Sequence, residues 1–235
     1  MTVQQVLAEL QKLGSESTKK TLMRHGAREP LFGVKIADLK KVQKRIKKDT
    51  ALALKLFDTG NTDAMYLAGL VCDPREMKKT DLQKWARKAY WGMLADYTVA
   101  WIAAESRFGV ELAREWIDSD TELIASCGWS TYSSIVAIKP DTELDLKELD
   151  QLLGRVEREI KTAASKVRYA MNGFVIAVGS FVAPLTARAR SAARAIGTVE
   201  VDMGDTACTV PSALDYLDKV EKRGKIGAKR KTAFC

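Results

Sequence analysis

At 235 residues, with 46% hydrophobic and 29% charged side chains, the chain has an ordinary globular composition and can bury one large core or two small ones. Its 38 Lys and Arg against 30 Asp and Glu leave a net charge of +8, which points to a polyanionic partner, nucleic acid foremost. Zinc has no support, since Cys72, Cys127, Cys208 and Cys235 are scattered without a CxxC and His25 stands alone, and no metal or cofactor is expected. The polar, amphipathic N-terminus is no signal peptide, and no apolar run approaches about 18 residues, so the cysteines read as reduced thiols of a cytoplasmic protein with no membrane span.

Taken in order, Thr2 to Leu13 carries a helical stripe of Val3, Val6, Leu7, Leu10 and Leu13 that Gly14 ends. Ser15 or Ser17 caps a second helix, which stops before the basic loop Arg24 to Arg28. The apolar turn Leu31 to Lys35 leads into a helix from Ile36 to Lys48, buried along Ile36, Leu39, Val42 and Ile46. Lys40, Lys41, Lys44, Arg45 and Lys48 crowd its other faces. Between Lys35 and Lys48 seven basic residues stand against the single Asp38, a self-repulsive run that a phosphate backbone would relieve.

Helices follow at Thr50 to Phe57, Asn61 to Val71 and Leu82 to Leu94, the last capped by Thr80 or Asp81. The next, Asp96 to Ser106, sets Trp101 and Glu105 four residues apart on one face, a ring beside a carboxylate that suits a cationic ligand. Val110 to Ile117, Thr121 to Ile138 (with a break allowed at Gly128), Leu146 to Lys161, Val167 to Val182 and Leu185 to Ile196 complete the series. Val199 to Pro211 reads as irregular and Ser212 to Val220 as a short helix. The basic end, with Lys229, Arg230 and Lys231, reads as a solvated tail or an arm that folds or docks on a phosphate backbone. No stretch alternates long enough to build a sheet. The expectation is an all-α chain of helix pairs at about 40-residue intervals, a HEAT-like solenoid over residues 1–198 followed by an irregular basic segment, 199–235.

The runs FGVKIADLKKV, WIAAES, EWIDSD and KVRYAMNGFVIAVGSFV, in that order and spacing, resemble the DNA alkylation repair family of HEAT-like repeat DNA glycosylases over about residues 20 to 196. The resemblance implies a right-handed superhelix with a concave basic face for duplex DNA. It also implies cofactor-free excision of positively charged N3- or N7-alkylated purines, acting as a monomer. In the family a Trp followed four residues later by an Asp stabilises the departing-base transition state. Trp101 and Glu105 match these positions, Glu reaching about 1.5 Å further. A second family aromatic matches Phe174. The family's functional Arg falls near Ser126, or at Thr131 or Tyr132, none of them basic, with Arg168 and Tyr169 as stand-ins. The function read first is a glycosylase, because ring and charge are retained at Trp101 and Glu105; its alternatives are a DNA-binding relative that has lost excision and a helical scaffold for protein or RNA.

Overall fold

The computed structural model describes residues 1–204 and 206–234. The reading of Cys235 as a thiol lies outside the described residues. Among those described the chain is all-α, with thirteen α-helices joined by short loops. They are α1 (Val3–Leu13), α2 (Glu16–Arg24), α3 (Ile36–Ile46), α4 (Thr50–Asp58), α5 (Thr62–Val71), α6 (Lys79–Lys88), α7 (Ala100–Glu105), α8 (Gly109–Ile117), α9 (Glu122–Ile138), α10 (Leu146–Glu159), α11 (Ser165–Phe181), α12 (Thr186–Ile196) and α13 (Ala213–Lys222).

Side-chain caps mark six of the thirteen helix N-termini. Thr2 and Gln5 form a capping box at α1, and Ser15, Asp49, Asn61, Asp145 and Ser212 each accept a first-turn N–H. Helix α6 differs from expectation. It starts at Lys79, with Thr80 and Asp81 inside its first turn, and stops at Lys88. After four connecting residues a π-helical turn, Met93–Val99, runs straight into α7, so the expected Asp96–Ser106 helix is half π and half α. There the N–H of Ala100 reaches back five residues to the carbonyl of Ala95.

Pairs α4–α5, α8–α9 and α11–α12 pack on one another. Helices α5, the π–α7 segment, α9, α11 and α13 form a second order, each touching the next, which is the inner row of a HEAT-like superhelix. Close approach along this row depends on glycine. A Cβ on Gly128 would sit 2.6 Å from the Ile117 backbone nitrogen, so the residue expected to break α9 instead lets α8 touch it. A Cβ on Gly179 would meet Leu217, and glycine there admits α13. The loop before α3 is pinned by buried Asp63, whose carboxylate accepts the N–H groups of Phe32, Gly33 and Val34 at 2.6, 3.1 and 2.9 Å.

The segment after α12 belongs to the same core: Ala213, Leu217 and Ala233 are buried with the helices of the inner row. No single helix among the described residues is long and apolar enough to cross a membrane.

Candidate nucleic-acid interface

Trp101 and Glu105 lie on the inner row at α7, and the C-terminal residues cover both. The Glu105 carboxylate accepts the N–H of Ala233 at 2.7 Å and the hydroxyl of Thr232. The Trp101 ring lies 5.5 Å from Phe234 and 5.4 Å from Tyr97, centroid to centroid. The tail reaches them along the C-terminal ends of the inner helices. Gly227 donates to Ser180 O of α11 at 2.8 Å and Arg230 to Ala137 O of α9 at 2.7 Å. Lys229 donates to Val136 O at 2.9 Å and pairs with Asp141 at 2.7 Å. Lys48 crosses the end of α5, donating to Leu70 O and Cys72 O, and holds its ammonium 5.3 Å from the Phe234 ring. Carbonyls at helix ends lack intrahelical partners and carry partial negative charge, so a strap rich in N–H donors and cations binds there.

This placement corrects the reading of the end as a solvated tail. Lys229 and the exposed Lys48 have their ammonium groups engaged by carbonyls of the fold, and Arg230 also donates to Phe234 O at 2.8 Å. Lys231 is exposed, as are Lys40, Lys41, Lys44 and Arg45 on α3, though to different degrees. Lys41 pairs with Asp38 at 2.7 Å, and Arg45 pairs with Glu9 of α1.

The other expected site residues do not gather at Glu105. Phe174 is fully buried, edge-on to Trp129 at 5.2 Å and Tyr132 at 6.1 Å, so it packs the core between α9 and α11. Tyr132 gives its hydroxyl to Glu148 at 2.7 Å, and burial with that carboxylate pushes its phenol up. Thr131 is buried and donates to Cys127 O. Arg168 lines a separate cavity of about 260 Å³ with Lys161 and Glu200.

Ser126 is fully buried, and its hydroxyl donates to a different carboxylate, Asp96 Oδ1, at 2.6 Å. Asp96 sits on the π-helical turn, between two cavities that it lines together with Tyr97 and Tyr169. One, about 470 Å³, is walled by Trp91 and Met93 with His25 and Lys166 at its edge. The other, about 230 Å³, is bounded by Trp101, Ser130, Asn172 and Arg230. Burial pushes the Asp96 carboxyl up to about 7, against the opposing pull of the Ser126 hydroxyl and the Lys166 charge. Gly92 stands beside Oδ2, where an added Cβ would lie 3.3 Å away. Trp91 and Asp96 are five residues apart and line one cavity, Trp91 just before the π turn and Asp96 within it. Aromatic walls around a carboxyl of tunable charge can hold a planar or cationic heterocycle.

The model of a family described as DNA alkylation repair enzyme matches residues 6–189. An uncharacterized protein of Listeria monocytogenes is 35% identical over 231 residues, 96% of this chain and all of that one. Another, from Listeria innocua, is 33% identical over 229 residues, covering 95% and 99% of the two chains. A solved structure is similar over the full length of both chains, with 36% identity and a TM-score of 0.93. It is described as a new family of proteins related to the HEAT-like repeat DNA glycosylases with affinity for branched DNA structures.

Proposed function

This chain belongs to the DNA alkylation repair enzyme family, and from that premise we propose that it binds branched DNA along its inner helical row without excising bases through Glu105. Family and fold support DNA binding. The observation that carries the non-excising part is the strap. The carboxylate expected to face an alkylated base is bonded to Ala233 and Thr232, and its neighbouring Trp101 lies against Phe234. Both bonds fall on Oε1, so the strap engages that oxygen and leaves less of the charge to stabilise charge developing on a sugar. The exposed lysines of α3 and Lys231 supply cations for phosphate contacts, each adding to counterion release.

The test uses two assays on one preparation. Anisotropy with a labelled three-way junction and a linear duplex, across a salt series, should give salt-dependent binding that favours the junction. Duplex carrying 7-methylguanine should release no free base. Equal affinity for junction and duplex would sink the branched-DNA part, and base release that collapses in Glu105→Gln would sink the other.

One observation favours a second reading, excision at Asp96. Trp91 and Asp96 line one cavity, and Ser126, one of the three positions expected for the family's Arg, bonds Asp96 and not Glu105. Base release that survives Glu105→Gln and is lost in Asp96→Asn would establish it.

A further inference from the structure

A groove of about 700 Å³ lies beside the strap at the C-terminal edge of the inner row. Four cations from four separate segments line it. Arg75 comes from the single helical turn Pro74–Glu76 after α5, Arg107 from the loop after α7, Lys139 from the end of α9 and Lys231 from the strap. Ala104, Ile138 and Pro140 supply the apolar part of its walls. The outer helices dispose of their charge differently, since their cations are neutralised between neighbours. Lys84 and Lys88 of α6 pair with Asp58 of α4, Arg114 of α8 with Glu148 of α10, and Arg188 of α12 with Asp150 and Glu157 of α10.

Three carboxylates share the groove, and each is engaged. Asp73 accepts two N–H groups of the Arg75 side chain at 2.6 and 3.0 Å, a fork that holds its carboxyl at about 2. Glu143 lies 3.9 Å from the Lys139 ammonium, and Glu105 gives Oε1 to the strap. Arg107 and Lys231 are left over. Both are exposed, and among the described residues neither is paired with a carboxylate; the Arg107 guanidinium lies over the Phe108 ring at 4.7 Å. The groove adjoins α3 without including it. Lys48, two residues past the end of α3, donates to Cys72 O beside Asp73 and holds its ammonium near Phe234 of the strap. The exposed lysines of α3 and the cations of the groove therefore meet at Lys48 as two separate groups.

We propose that this groove receives the phosphate backbone of a second DNA arm, which leaves the branch point beside Lys48 while the first arm lies on α3. The proposal rests on the DNA-binding reading and deepens it. A linear duplex offers its phosphates along one axis, whereas a branch sends backbones in different directions from one place. Two groups of cations that meet at one residue match the second arrangement. A phosphate chain brings acceptors at regular intervals, so each can meet a cation from a different segment, and its sugars can lie on the apolar walls. The strap then has a role in recognition, since it contributes Lys231.

The test is the salt dependence of binding, by anisotropy, to a labelled three-way junction and to a linear duplex. Arg107→Gln with Lys139→Gln should lower the slope of log affinity against log salt on the junction by up to about 1.8, about 0.9 for each phosphate no longer neutralised. The slope on the duplex should not move. A second measurement needs no variant to fold: in the unaltered protein the junction should protect Lys139 and Lys231 from acetylation, read by mass spectrometry, and the duplex should not. An unchanged junction slope, or no protection of either lysine by the junction, overturns the groove and leaves the DNA-binding reading standing. An equal fall in slope on junction and duplex overturns the assignment to a second arm. No affinity for any DNA overturns both readings.

Discussion

Glu105 accepts the backbone N–H of Ala233 at 2.7 Å across 128 positions of sequence, and that one bond ties the expected reactive carboxylate to the chain's far end. It makes Glu105 an anchor for the strap. Glu105→Ala should leave the Ala233 N–H and the Thr232 hydroxyl without their acceptor and destabilise the fold by about 1–3 kcal/mol, read as a lower urea midpoint at unchanged m. An unchanged midpoint would mean the contact is not stabilising.

The tail's cations divide by what they touch. Lys229→Met should lower stability by about 1–3 kcal/mol and speed proteolytic trimming of the tail, because Asp141 and Val136 O lose their partner. Lys231→Met should leave the unfolding midpoint within about 0.5 kcal/mol and weaken DNA binding instead. The opposite pattern would make Lys231 the cation that holds the strap and Lys229 the one that meets phosphate.

Exposed cations of α3 should act through salt. Lys41→Ser with Lys44→Ser should lower the slope of log affinity against log salt by at most about 0.9 for each phosphate no longer neutralised, so about 1.8 for the pair. A slope that does not move would take α3 out of the interface.

Asp96 sets a pH dependence whose sign is fixed by its raised carboxyl. The folded protein holds this proton up to about pH 7, while the unfolded chain releases it near the ordinary value of 3.8. Between those limits the folded state binds more protons, so the Asp96 contribution falls as pH rises from about 4 to about 7 and then levels off. Urea midpoints at pH 5 and pH 8 should differ less in Asp96→Asn than in the unaltered protein. An identical difference in both would show that the group does not titrate in that window.

Gly128→Ala tests the close contact of α8 and α9. With the Ile117 backbone nitrogen 2.6 Å from the added carbon, two helices have to separate, and a cost of about 1–3 kcal/mol is expected in the same unfolding assay. Were the glycine merely a flexible point in α9, alanine would stabilise the helix.

Apolar periodicity makes the helices readable. The stripes at α1, α3 and α10 lie within a residue or two of their observed bounds, since one face of each is buried and the other is wet. Trp101 and Glu105 are legible as neighbours for the same reason. The strap is not, because an extended segment held by backbone bonds to helix ends has no period for its residues to display. Asp96 escapes notice although it stands in plain view in WGMLAD. It lies on the π turn Met93–Val99, whose wider winding a template of 3.6 residues per turn does not follow, and it lines one cavity with Trp91. Phe174 illustrates the converse: an aromatic aligned by motif, and buried by packing against Trp129.

The wide turn at Met93–Val99 has a genetic corollary. A π turn closes its bonds over five residues where an α-helix closes over four, so one codon separates the two. Excising Ala95 would let the turn close over four residues, with the helix on either side kept in register. Trp101 would stay against Phe234 and Glu105 against Ala233, so the strap would keep its mooring. A single in-frame triplet therefore separates this inner row from one that keeps its strap and loses the bulge that sets Asp96 between two cavities.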